Sequence, residues 1–144
     1  MSAALLLLGG ELGAPVRVRA LARRASLVVC ADGAARHALA LGLVPDAIVG
    51  DLDSLPRCLP RAWARVPRLA DRDESRSDLE KSLDFLERAG AREVLVAGAL
   101  GGGLGHELVN LAVLESRRGP LAATLVAAGG EARLLGPGRH ALAL

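Results

Sequence analysis

SLVVCADGAARHALALGLVPDAIVGDLDS, residues 26–54, holds the pattern that decides the fold. Ser26–Ala31 is a continuous apolar run of strand length, followed at once by Asp32-Gly33. Ala34–Leu41 has helical spacing and is closed by Gly42, with Pro45 beyond it, which is common stop chemistry. Ala47–Val49 is apolar again and runs straight into Gly50-Asp51-Leu52-Asp53-Ser54. Strands that are apolar throughout, instead of alternating, are expected where both faces of a parallel sheet are covered.

The same alternation continues outward. Ala3–Leu8 reads as a strand closed by Gly9-Gly10, and Pro15–Arg24 as a helix with Val16, Ala20 and Leu21 on one face. Downstream, Ser77–Ala89 reads as a helix ended by Gly90, with Leu79, Leu83 and Leu86 forming its core stripe. Glu93–Ala97 is a strand, His106–Arg118 a helix and Leu121–Ala127 a strand. Glu131–Leu135 and Arg139–Leu144 flank Gly136-Pro137-Gly138 and are expected to pair as a short terminal hairpin. The class is therefore α/β: a single three-layer domain with a mostly parallel sheet and helices on both faces. The order of the strands is not written in this pattern.

Composition narrows the setting. A chain of 144 residues is one ordinary domain, and 51% hydrophobic with 24% charged residues excludes disorder. The longest aliphatic run, Ala3–Leu8, falls far short of the roughly 20 residues of a membrane span. The amino terminus lacks the basic start and cleavage site of a secretory leader, so a soluble, cytoplasmic protein is expected. A net charge of +2, with Trp63 and Phe85 as the sole aromatics, argues against nucleic acid as a partner. Cys30 and Cys58 match no metal or redox spacing and read as reduced thiols.

Ligands of open α/β sheets bind beyond the carboxyl ends of the strands. Three such ends carry carboxylates or glycines: Asp32-Gly33, Gly50–Ser54 and the Gly98–Gly105 loop. The i, i+2 spacing of Asp51 and Asp53 points both carboxylates one way on extended backbone, a pair suited to Mg²⁺. The competing interpretation is an Asx turn. Asp78 opens a helix behind Ser77, where Ser77 and Glu80 fit a capping box, so the helix dipole alone would favour it. The glycine loop could bring N–H groups to an anion, or serve simply as a strand-to-helix turn. Arg57, Arg61 and Arg65 recur at helical spacing and read as a solvated face.

In order along the chain, these pieces resemble the thiamine pyrophosphokinase family. The family's strand-end Asp-Gly-Gly/Ala is matched by Asp32-Gly33-Ala34. Its Pro-Asp-x-Ile-x-Gly-Asp-x-Asp-Ser block is matched by Pro45–Ser54, and its Thr-Asp before a helix by Ser77-Asp78. The resemblance implies Mg²⁺-dependent transfer of diphosphate from ATP to the thiamine hydroxyl, releasing AMP. It implies Asp51, Asp53 and Asp78 as catalytic and metal-binding residues. Asp32, Gly33, Gly50, Ser54, Gly101, Gly102 and His106 would lie about the nucleotide, and the family implies a homodimer.

Two departures accompany the resemblance. The family's Gly-Gly-Arg-x-Asp-His reads Gly101-Gly102-Gly103-Leu104-Gly105-His106 here, so Arg and Asp are replaced by Gly103 and Gly105. Residues 1–144 correspond to the catalytic, ATP-binding domain, and the family's carboxy-terminal thiamine-binding β-sandwich is expected to be absent. Three alternatives stay open: a degenerate homologue that binds nucleotide without turnover, transfer to another acceptor such as a pterin alcohol, and a haloacid dehalogenase-type phosphatase. In the last, Asp51 would be nucleophile and Asp53 acid–base, but Leu55 stands where Thr or Val is expected.

Overall fold

The computed structural model describes residues 2–117 and 119–134. Its elements are β1 (Ala4–Leu7), α1 (Pro15–Arg24), β2 (Val28–Ala31), α2 (Ala35–Ala40), β3 (Ala47–Gly50) and β4 (Arg68–Ala70). They continue as α3 (Asp78–Arg88), β5 (Glu93–Ala97), α4 (Leu104–Ser116), β6 (Ala122–Ala127) and β7 (Gly130–Ala132). Short 3-10 turns occupy Asp32–Ala34 and Arg61–Trp63. The seven strands form one sheet in the order β4-β3-β2-β1-β5-β6-β7, parallel except for β7.

This order puts the most apolar strands in the middle. All residues of β1, β2 and β3 are buried, as expected of strands covered on both faces. By the right-handed rule for parallel crossovers, this strand order assigns α1 and α2 to one face and α3 and α4 to the other. Helix α3 packs over β3 and β2 and touches α4. Its Leu79, Leu83 and Leu86 are buried in the core, as their spacing predicts.

Helix α3 also starts where its cap dictates. The Ser77 hydroxyl accepts from the Glu80 N–H at 3.2 Å, and the Ser77 N–H donates to Glu80 Oε2 at 2.9 Å. A reciprocal cap of this kind contributes about 1 kcal/mol and fixes the entry of Asp78 into the helix.

Several details differ from the sequence reading. The helix expected from Ala34 is preceded by the 3-10 turn at Asp32–Ala34, which keeps Asp32 tight against the end of β2. Strand β4 was not anticipated, because three exposed residues beginning with Arg68 form no apolar run. Glu131 does enter a hairpin, but its partner is Val126 of β6, through the tight connection before Gly130. Arg139–Leu144, the partner expected for it, lies outside the described residues. Cys30 is buried, which pushes its thiol up to about 12, and both cysteines are free. No helix among the described residues is long and apolar enough to cross a membrane.

Candidate functional site

The chain leaves β1 toward β2 on one side of the sheet, whereas it leaves β5 toward β6 on the other. The carboxyl ends of β1 and β5 therefore diverge and open a crevice, the place where open α/β sheets take ligands. Its floor is two glycine-bearing loops laced together: Leu8 N–H donates to Ala97 O, Gly10 N–H to Gly98 O and Glu11 N–H to Leu100 O, each at 2.8 Å. Only glycine suits Gly98, whose φ is +81° and where a Cβ would fall 2.1 Å from the Leu8 carbonyl oxygen. From α2, Arg36 hydrogen-bonds Gly9 O and the His37 ring meets Gly10 O at 2.6 Å, so the loop after β1 is held from both sides.

Above this floor is a cleft of about 1010 Å³, large enough for a nucleotide-sized ligand. Asp51 and Ser54 reach it from the end of β3, and Asp78 and Lys81 from the first turn of α3. Gly102, His106 and Asn110 close the far side. Asn110 is fixed by donating to Ala99 O at 2.8 Å, and the Gly101 N–H donates to Glu107 Oε1 at 2.7 Å. The Gly98–Gly105 loop is thereby ordered against α4.

Three carboxylates from three separate stretches meet at this edge, Asp51 and Asp78 in the cleft lining and the buried Asp32 outside it. Asp32 is buried, at 2% exposure, and accepts from the Gly33 N–H at 2.7 Å and the Ser54 N–H at 3.3 Å. Burial, a hydrogen bond with Asp51 and the nearby Asp78 charge push it up to about 6, against the pull of those two N–H groups. The same bond holds Asp51 below the usual carboxylate range, helped by the Asp53 N–H and by Lys81 and Arg72. Asp78 is raised, chiefly because the cleft walls strip water from it and secondarily by Asp51, while Lys81 opposes. Below about pH 6 Asp32 thus keeps a proton that Asp51 accepts, and Asp78 stands beside both.

Asp53 is placed differently from its sequence expectation. The backbone between the two aspartates is not extended: Leu52 has φ +68°, the one left-handed non-glycine among the described residues. That turn lets the Asp53 N–H donate to Asp51 Oδ1 at 3.0 Å, while Asp53 itself is exposed and outside the cleft lining. The trio that gathers is Asp32, Asp51 and Asp78, where the sequence reading had Asp51, Asp53 and Asp78. Gly33 lines the cleft, whereas Gly50 packs behind it, where a Cβ would come within 3.0 Å of the Asp32 carboxyl.

The basic half of the site comes from Lys81, Arg72 and Arg76. Lys81 is buried at 5% exposure, and its Nζ donates to Asp71 O at 2.7 Å while acting on Asp78 and Asp51. Its spacing of three from Asp78 places both on one helix face, a signal the sequence did contain. Arg72 and Arg76 line the cleft from the loop before α3. Arg76 is anchored by Asp71 at 3.2 Å and by Asp84.

Could these residues hold a divalent cation? Among the described residues no three histidine, cysteine or acidic side chains form a ready-made cage. The crowding of Asp32, Asp51 and Asp78 nonetheless marks a place short of positive charge, which a cation would supply. Mg²⁺ takes one or two carboxylates and completes its shell with water and phosphate, so this donor set fits it.

The buried Asp32 sets a pH dependence. Folded, it keeps its proton to about 6; unfolded, it ionises near 4. Between those values the folded state binds more protons, so this group lowers stability as pH rises. Asp32→Asn also withdraws the carboxyl whose hydrogen bond holds Asp51 down, so the difference from wild type reports the two carboxylates as a coupled pair. Urea unfolding at pH 4.5 and pH 7 is expected to show the variant gaining about 1–3 kcal/mol relative to wild type at the higher pH. Equal differences at both pH values would mean that Asp32 is not the proton holder.

Three comparisons bear on this site. Residues 18–122 match the family model described as thiamin pyrophosphokinase, catalytic domain. Thiamine pyrophosphokinase 1 of Oryza sativa subsp. japonica is 32% identical over 115 residues, covering 63% of this chain and 44% of that protein. Crystal structures of thiamine pyrophosphokinase from Bacillus subtilis (TM-score 0.67, 19% identity) and from yeast (0.70, 15%) share the fold. They cover 85% and 88% of this chain, and the chain spans 60% and 58% of theirs.

Proposed function

The chain belongs to the thiamin pyrophosphokinase catalytic-domain family, and on that premise we propose that its cleft binds Mg-ATP and transfers diphosphate to the thiamine hydroxyl, giving thiamine diphosphate and AMP. One observation carries the reading: Asp32, Asp51 and Asp78 gather from three chain segments beside a glycine-floored crevice at the point where the sheet reverses direction. Mg²⁺ would be held by Asp51 and Asp78 and would neutralise charge building on the phosphates. The chain's own residues do the rest. Glycine-loop N–H groups and the α4 amino terminus face the phosphates. Lys81, Arg72 and Arg76 add positive charge, and Asp32 braces the loop after β3 by accepting from the Ser54 N–H. Calorimetric titration with Mg-ATP, with and without thiamine, tests the reading through nucleotide binding and AMP release; the absence of any nucleotide binding would overturn it.

The second reading, a nucleotide binder without turnover, is favoured by Gly103 and Gly105. The two positions are not equivalent. Gly103 has φ +104°, so the family's arginine would be strained there, whereas Gly105 lies in the first turn of α4 with open space where its Cβ would be. Gly105→Asp is expected to raise stability by about 1 kcal/mol, by replacing a helical glycine and by complementing the dipole. Because Gly105 lines the cleft, the new carboxylate should also tighten Mg-ATP binding. A thermal melt with and without Mg-ATP reads both effects; a destabilised variant would contradict this geometry.

The homodimer reading has its own support in α4, which buries no residue. Leu104, Leu108 and Leu111 fall at i, i+4 and i+7 and are 72%, 58% and 38% exposed. A stripe of identical leucines is self-complementary across a two-fold axis, so a second copy of this chain is the occupant we assign. Sedimentation equilibrium should give twice the chain mass, falling to a monomer in Leu108→Glu.

A further inference from the structure

Away from the cleft, the segment between β3 and β4 builds a second concavity. Residues 54–70 contain Arg57, Arg61, Arg65 and Arg68 and no carboxylate. Three of these, Arg57, Arg61 and Arg68, line a pocket of about 240 Å³ that shares no residue with the cleft. Their guanidinium groups engage in no hydrogen bond or ion pair among the described residues. Elsewhere the chain does pair arginines, as Arg76 and Arg117 with Asp84. Here no carboxylate among the described residues offsets the charge.

The pocket is also rigidly framed. Trp63 is 2% exposed, and its Nε1 donates to Leu43 O at 3.2 Å, which pins the 3-10 turn carrying Arg61. Pro56 and Pro60 stiffen the wall, and Leu59 packs against the core. Arg68 comes from a different element, held by the pairing of β4 with Ile48 of β3. Arginines brought to one pocket from two elements offer N–H donors suited to a phosphate oxyanion, and the volume is below that of pockets for larger organic ligands.

We propose that this pocket is a second anion site, which takes inorganic phosphate or the phosphate group of a small phosphomonoester through Arg57, Arg61 and Arg68. It is independent of the reaction assigned to the cleft. The test is calorimetric titration of the full chain with inorganic phosphate and, separately, with glycerol 3-phosphate, at low ionic strength and without divalent cation. Saturable one-to-one binding is expected. Arg61→Gln and Arg57→Gln should each weaken it about tenfold, while Arg72→Gln in the cleft and the remote Arg24→Gln leave it unchanged. These arginines are exposed and unpaired, so the variants should keep the wild-type circular dichroism and melting point. Binding of both probes means recognition of the phosphate group, and of phosphate alone, a site for the free ion. The proposal is overturned if neither probe saturates, if Arg72→Gln abolishes binding, or if Arg24→Gln weakens it as much as Arg61→Gln does.

Discussion

Asp51→Asn is expected to remove the melting-point rise that Mg-ATP gives the wild-type protein, and to lower any diphosphate transfer by about 10²–10³-fold. The substitution changes little else. Asp51 is only half-buried, and an asparagine Oδ1 can still accept from the Asp53 N–H, so the ligand-free melting point should stay within about 3 °C of wild type, the size of a 1 kcal/mol change. What is lost is an anionic oxygen held ionised by its neighbours. The hydrogen bond with Asp32, the Asp53 N–H, Lys81 and Arg72 all favour the charged form of Asp51, so it is the member of the trio that ionises most readily. A neutral amide offers the cation one weak oxygen, and its N–H groups turn toward Asp32. Thermal shift with Mg-ATP, with ATP alone and with AMP separates the effect on the cation from that on the nucleotide. An unchanged Mg-ATP shift in Asp51→Asn would remove the central assumption about this site.

The sequence carried much of this arrangement, because the central strands announce themselves. β1, β2, β3 and β5 lie in apolar runs, and a strand end is where a carboxylate or glycine becomes informative. Asp32 and Asp51 could be singled out on that basis before their proximity was known. The strand order could not, since it depends on pairing between residues far apart in sequence, such as Leu6 with Val96. β4 stayed hidden because an exposed edge strand of three residues needs no apolar signal. Asp53 was misplaced for a local reason: the parity argument presumes extended backbone, and the left-handed Leu52 breaks it. That conformation costs a leucine on the order of 1 kcal/mol, and it lies between the two aspartates, where strain is commonly stored at functional sites. Lys81 shares a helix face with Asp78, but that spacing alone does not bury it. Its burial against the Asp71 carbonyl depends on how the loop before α3 folds back, and no spacing rule conveys that.

The crevice itself rests on glycine geometry, and the largest expected loss of stability follows from it. In Gly98→Ala the new methyl carbon would lie 2.1 Å from Leu8 O and 2.9 Å from Leu8 C, both backbone atoms at the end of β1. No rotamer relieves a clash with main chain, so the ends of β1 and β5 must separate. Separation endangers three hydrogen bonds at once, from Leu8, Gly10 and Glu11 to the β5 side. The left-handed φ adds its own penalty for alanine. Together these should cost about 3 kcal/mol or more, a fall of roughly 10 °C in melting point for a chain of this size. Gly9→Ala is the matched control. It lies in the same loop, but its Cβ would meet only the Gly33 carbonyl, O at 3.6 Å and C at 3.7 Å, both ordinary contacts, so its melting point should move by no more than about 3 °C. If the two variants melt together, the floor of the cleft is looser than these contacts require. If Gly98→Ala falls and Gly9→Ala does not, the close approach of two strand ends is what holds the crevice, and with it the carboxylates, in place.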